Sequence, residues 1–279
     1  MLIDFHTHTF PDAIAPAAIA KLKAASGTVA FTDGTADGLK RSMRRAGIDL
    51  SVVLPVATNP LKATSMNDVS LRLNGRDGLC YFGCIHPDTP DAEGELRRIA
   101  SAGLAGVKIH PVYQGADIDD PRYLRILNAC GELGLTVVMH AGDDIGFPGV
   151  VRCPPEAIAR ALKQVSPVRL VCAHMGGWRN WERVADALAD TSVLLDTAFS
   201  LGNITPLPEH PLPTEDCRLM AEEAFLALVE AFGSHRILFA TDSPWDDQAA
   251  AVERIRRLPL SPAALDAILG GNACRLLGL

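Results

Sequence analysis

The chain has 279 residues, 48% of them apolar and 21% charged, with a net charge of -7 and no long basic run. A large apolar core is affordable at this composition, while disorder and a nucleic-acid footprint are excluded. No apolar stretch approaches the roughly 20 residues that span a bilayer, and no basic segment followed by an apolar core opens the chain, so a cytoplasmic protein that does not enter membranes is expected.

In chain order, Met1 to Thr9 reads as an apolar strand ending in His6-Thr-His8. Phe10 to Gly34 is a polar region with an Ala-rich helix over 15–25, followed by a helix over Ala36 to Ala46 that ends at Gly47. Leu50 to Val56 is the second apolar strand, Met66 to Gly75 a helix, Cys80 to Ile85 a third strand and Ala92 to Ala102 a helix. The alternation continues through strands at Ala105 to His110, Leu135 to His140, Val168 to His174, Ser192 to Asp196 and Arg236 to Asp242. Helices are expected between them at Arg122 to Leu133, Pro155 to Val165, Trp181 to Ala189 and Leu219 to Phe232, and after them at Asp247 to Arg257. Asn203 to Asp216 is Pro-rich and irregular. Eight strands alternating with helices, without a linker, predict one α/β domain over residues 1–279 built as a (β/α)8 TIM barrel. An open doubly wound sheet would carry a glycine-rich phosphate turn after its first strand, and none is present.

Polar residues fall at the C-terminal ends of these strands: His6, His8, His86, Lys108, His110, His140, His174, Asp196 and Asp242. In a barrel of this kind that rim carries the active site. His6 and His8, two apart on a strand, share a face with Asp4 and can bind one divalent metal; two half-exposed loop histidines is the plainer reading of the pair alone. The remaining histidines, His210 and His235, lie in the Pro-rich loop and ahead of a strand. The seven cysteines read as small buried hydrophobes; Cys80 and Cys84 have the spacing of a metal pair, but no second pair completes it.

The motifs His6-Thr-His8, Val107-Lys-Ile-His-Pro111, Met139-His140, Ala173-His-Met-Gly-Gly177 and Ala240-Thr-Asp-Ser243, with the tail Gly270 to Gly278, resemble the amidohydrolase superfamily along the whole chain. The tail is similar to that of the subfamily of aromatic-acid decarboxylases, lactonases and hydratases. The resemblance implies that His6, His8, His140 and Asp242 bind one or two divalent ions, zinc being expected, with His174 a further ligand or a catalytic group. Asp242 is then the proton acceptor, and a small-molecule amide, lactone or ester the substrate. Decarboxylation of a small carboxylic acid is the alternative within the family, and a non-catalytic metal- or metabolite-binding barrel the alternative outside it. Lys108 is either a carbamylated bridge between two metals or an ammonium paired with a carboxylate. Asp4 is expected to orient a ligand by hydrogen bonding, Asp196 to make a structural hydrogen bond or to act in catalysis, His86 to sit on the rim, Trp178, Trp181 and Trp245 to pack or to line a pocket, and Arg152 and Arg179 to suit a substrate carboxylate. A homodimer is a family-level expectation.

Overall fold

The computed structural model describes residues 1–209 and 211–279, so His210 lies outside the described residues. In chain order the elements are β1 (Ile3–Thr7), α1 (Ala15–Ser26), α2 (Ala36–Ala46), β2 (Leu50–Val53), α3 (Ala63–Leu73), β3 (Leu79–Tyr81), β4 (Gly83–Cys84), α4 (Ala92–Ser101), β5 (Gly106–Ile109), α5 (Pro111–Gln114) and α6 (Pro121–Leu133). They continue with β6 (Thr136–Met139), α7 (Pro155–Leu162), β7 (Arg169–Cys172), α8 (Val184–Leu188), β8 (Leu194–Asp196), α9 (Thr214–Cys217), α10 (Glu222–Phe232), β9 (Ile237–Leu238), α11 (Gln248–Arg257), α12 (Pro262–Asp266) and α13 (Asn272–Leu277). Among the described residues no helix is long and apolar enough to cross a membrane.

Two compact units are present, one of residues 1–53, 145–148 and 196–279, the other of residues 54–144 and 149–195. In the first, β1 pairs in parallel with β2 through Ile3 and Leu50 and through Asp4 and Ser51. Its other edge meets the segment that leaves β9: Phe5 N–H donates to the Phe239 carbonyl at 2.9 Å, Asp242 N–H to that of His6 at 2.8 Å, and His8 N–H to that of Ser243 at 2.7 Å. Every residue of β1 is buried, as expected for a strand covered on both faces. Helix α2 starts where the Thr35 side chain accepts from Gly38 N–H and ends at left-handed Gly47; it packs on α11, burying Leu39 and Met43.

In the second unit β4, β5, β6, β7 and the first residues of β8 form a parallel sheet. Strands β5 and β6 are wholly buried runs rich in Val, Ile and Met, and each such side chain contributes about 1.5–3 kcal/mol by leaving water. The expected strand from Cys80 to Ile85 is broken into β3 and β4. Asn67 on α3 takes over the pairing there: its Oδ1 accepts from Cys84 N–H at 2.7 Å and its Nδ2 donates to the Cys84 carbonyl at 3.0 Å. The Cys84 thiol also points at Asn67 Oδ1, at 3.5 Å, so Cys84 is part of this buried polar clamp. Burial pushes that thiol up to about 12, far from the thiolate a metal ligand requires. The expected helix at Trp181 to Ala189 opens instead as a 3-10 turn, Trp181–Arg183, before α8 begins.

Candidate functional site

The ladder beyond β1 brings three side chains of the first unit together. Because His6, His8 and Asp242 are locked by the backbone bonds between 6–8 and 242–243, their side chains emerge at one edge. His6 Nε2 and His8 Nε2 lie 3.2 Å apart, and Asp242 Oδ1 lies 3.4 Å from the first and 3.0 Å from the second. Ligands at about 2.0–2.1 Å from a tetrahedral ion are separated by edges of about 3.3 Å. The three observed separations fit one such ion, and the donor set of two imidazoles and a carboxylate suits zinc.

Two carboxylates hold this arrangement. Asp196, fully buried at the end of β8, accepts from His6 Nδ1 at 2.9 Å, so the neutral ring carries its proton on Nδ1 and turns the Nε2 lone pair toward His8 and Asp242. Asp4, also fully buried, accepts from the backbone N–H of His6 and Thr241 through Oδ1, and from Thr241 Oγ1 and Gln248 Nε2 through Oδ2. It fixes the backbone on either side of the cluster. Burial raises the Asp4 carboxyl to about 6, with these hydrogen bonds opposing the rise. Asp242 itself has φ +64°, a left-handed conformation that Asp and Asn tolerate better than most residues.

In the second unit the register between β5 and β6 sets the next group. Ile109 pairs with Met139, so His110 and His140, which follow them, stand side by side with their rings stacked at 4.1 Å and 15°. Across from His140, the ring of His174 is 4.7 Å away, and His174 too has a positive φ, +59°. His140 Nε2 contacts the Asp143 carbonyl at 2.8 Å, while Asp144 Oδ2 lies 3.4 Å from His110 Nε2 and 3.9 Å from His140 Nε2. His110, His140 and Asp144 are a second group within reach of a common ion. Burial pushes His110 down to about 4, against the pull of Asp144, and His140 down to about 3, with His110 adding to the effect. Both rings are therefore neutral near pH 7. Lys108, paired in register with Val138, is 1% exposed and acts on both rings electrostatically.

The loop that carries Asp143 and Asp144 is fastened by Gly142, whose φ is +87° and where a Cβ would sit 2.3 Å from the Trp178 nitrogen; only glycine fits. Asn180 then donates to Asp143 Oδ1 at 2.7 Å. Asp144 carries no motif: it lies in a loop whose sequence reads as connecting chain, and sequence reasoning missed it, as it missed Gln248. Among the other expectations, Arg152 is paired with Asp117 at 3.1 Å, Arg179 lies over the Trp178 ring at 4.9 Å, and Trp181 Nε1 donates to the His174 carbonyl at 2.9 Å. Trp245 N–H bonds back to Asp242. His86 is tied into its own turn, accepting from Asp88 N–H through Nδ1.

Solved proteins share the fold. A solved TIM-barrel protein of uncharacterised function from Bordetella bronchiseptica superposes with a TM-score of 0.74 at 19% identity, covering 99% of this chain and 98% of that one. A candidate 2-pyrone-4,6-dicarboxylic acid hydrolase from Pseudomonas putida does so with a TM-score of 0.67 at 18% identity, over 99% and 97%. The chain thus has the TIM-barrel fold that its alternating strands and helices predict. The 2-amino-3-carboxymuconate-6-semialdehyde decarboxylase of Dictyostelium discoideum is 27% identical over 205 residues, 66% of this chain. The match spans just over half, 56%, of that relative's length. The family model described as Amidohydrolase matches residues 3–279, and with that match over nearly its whole length the chain belongs to the amidohydrolase family.

Proposed function

We propose that this protein is a metal-dependent hydrolase of a small-molecule amide, lactone or ester. The observation that carries the reading is the spacing of His6 Nε2, His8 Nε2 and Asp242 Oδ1, at 3.0 to 3.4 Å, which suits a single tetrahedral ion. A divalent ion there, zinc by its donor set, supplies Lewis acidity and lowers the pKa of water to about 7. The residues do the rest. Asp196 keeps the His6 lone pair aimed inward, Asp4 ties the His6 backbone to that of Thr241, and Asp242 accepts the proton of the attacking water and returns it to the leaving group. The further roles that the family resemblance gives His140, His174 and Lys108 belong to this reading, as does the single domain over residues 1–279.

The similarity to a decarboxylase supports a second reading, loss of carbon dioxide from a small carboxylic acid. Both are tested by incubating the metal-replete protein with a panel of lactones, esters, amides and aromatic acids while following acid production and carbon dioxide together. New acid without carbon dioxide is the expected result. Carbon dioxide release moves the assignment to decarboxylation, and retained metal with neither product across the panel overturns catalysis in favour of a binding role.

A further inference from the structure

Gln114 is the last residue of α5, the single turn that follows β5, and it is buried although its side chain offers two donors and two acceptor positions. All of them are used. Its Nε2 donates to the carbonyls of Ala57 and Ile85 at 2.9 and 2.6 Å, and its Oε1 accepts from the His110 backbone N–H at 2.9 Å and from the Tyr123 hydroxyl at 2.6 Å. Ala57 lies beyond β2, Ile85 directly after β4 and His110 directly after β5, while Tyr123 stands on α6. The ladder between β4 and β5 ends at Cys84 and Lys108, so one side-chain amide takes over the backbone groups that a further rung would have paired.

The bond to His110 reaches beyond that residue. The His110 N–H and the Ile109 carbonyl belong to one planar, rigid peptide unit. The Ile109 carbonyl accepts from His140 N–H at 3.2 Å. Gln114 therefore holds one side of the plate and His140 is fastened to the other. The ring of His110, carried by the same backbone, lies stacked on the ring of His140 at 4.1 Å. Tyr123 touches none of this directly; its hydroxyl fills the second acceptor position of Gln114 Oε1.

We infer that Gln114 is a positioning residue for His140. It sets the Ile109–His110 peptide, and through that peptide the backbone from which the His140 ring meets a divalent ion. The inference rests on the proposed metal-dependent reading, which makes His140 a ligand.

The test is competition for zinc between the full-length protein and a chromogenic chelator, with urea midpoints of the chelated proteins measured alongside. Gln114→Met keeps the length of the side chain and gives up its hydrogen bonds, and it is expected to lower zinc affinity about tenfold. Gln114→Asn, whose amide is one methylene short of the His110 N–H, takes its place if Gln114→Met does not fold, with the same loss expected. Tyr123→Phe leaves the peptide held, so its urea midpoint should fall while its zinc affinity stays that of wild type. In a His140→Ala background Gln114→Met should cost no further affinity, because the residue it acts through is gone. Zinc affinity unchanged by Gln114→Met, an equal loss in Tyr123→Phe, or an undiminished loss in the His140→Ala background each overturns the proposal and leaves the metal reading standing. Wild-type affinity in His140→Ala instead removes His140 from the ligands and defeats that part of the reading together with the proposal.

Discussion

The Nδ1 of His6 donates to Oδ2 of Asp196 at 2.9 Å, and this one bond decides which nitrogen of His6 is open to a metal. Asp196 also accepts from Ala198 N–H at 3.1 Å, so its own position is fixed. His6 and Ala198 bond different oxygens of Asp196, so Asp196→Asn keeps one acceptor, turns an NH2 toward the other donor and loses the charge, whereas Asp196→Ala loses both acceptors. Metal affinity is expected to fall in the order wild type, Asp196→Asn, Asp196→Ala, with about a 10–100-fold loss at the end of the series. Competition against a chromogenic chelator measures it, and equal affinities across the three would remove Asp196 from the site.

Asp242 combines a proposed ligand position with a left-handed backbone, φ +64°. Asn tolerates that conformation as well as Asp does. Asp242→Asn is therefore expected to leave the metal-free protein as stable as wild type, within about 0.5 kcal/mol, while the isolated protein loses most of its metal and all turnover. Elemental analysis and denaturant unfolding of the chelated protein read the two quantities separately. Full metal retention with full turnover would show that the proton acceptor is elsewhere.

The Asn67 clamp on Cys84 gives a prediction about stability alone. Asn67→Ala strands the N–H and carbonyl of a buried strand residue, and each unsatisfied group costs about 1–3 kcal/mol. Asn67→Asp is expected to be worse, since it turns an oxygen toward the Cys84 carbonyl and toward Glu95 Oε1, now 2.6 Å from Nδ2. Urea midpoints at a common pH rank the variants, and Asn67→Asp more stable than Asn67→Ala would contradict the clamp.

Glu95 supplies the pH dependence. Burial alone would raise its carboxyl, but hydrogen bonds from Arg98 and Asn67 and the Arg98 charge together hold it below its ordinary 4.5. With the folded value depressed, Glu95 contributes stability in full above about pH 4.5 and loses it as the pH falls through the lower folded value. The stability gap between wild type and Glu95→Gln should then be constant from neutral pH down to about 4.5 and shrink below it. A gap that widened on acidification would reverse the sign of the shift.

How much of this was readable in the chain varies with the kind of signal. The strands at 105–110 and 135–140 were plain, because buried parallel strands are continuous apolar runs, and their terminal histidines marked the rim. His6, His8 and Asp242 come together as the alternation of side chains and the parallel neighbours imply. The break between β3 and β4 was hidden, since it depends on a side chain of α3 replacing a strand partner. Asp144 was hidden for a related reason: a loop aspartate gains its meaning from the neighbours that Gly142 and Asn180 impose on it. The third expected strand and the loop after β6 are thus the places where tertiary contacts override the local pattern.

Asp4 joins fold and site most directly. Four donors converge on its two oxygens, and two of them are the backbone N–H groups of His6 and of Thr241, the residue that precedes Asp242. Asp4→Asn keeps the shape but presents an NH2 where the Thr241 hydroxyl and Gln248 amide both point donors, so one of those contacts becomes a donor facing a donor. The variant is expected to lose about 1–3 kcal/mol of stability in metal-free form. Its metal affinity should fall too, because Thr241 is then tied to β1 by its backbone N–H alone and Asp242 follows it. Adding Gln248→Glu to Asp4→Asn restores an acceptor opposite the new amide and should recover part of both losses. Denaturant unfolding and chelator competition on the single and double variants decide: if the second substitution recovers neither, Asp4 acts through something other than these four hydrogen bonds.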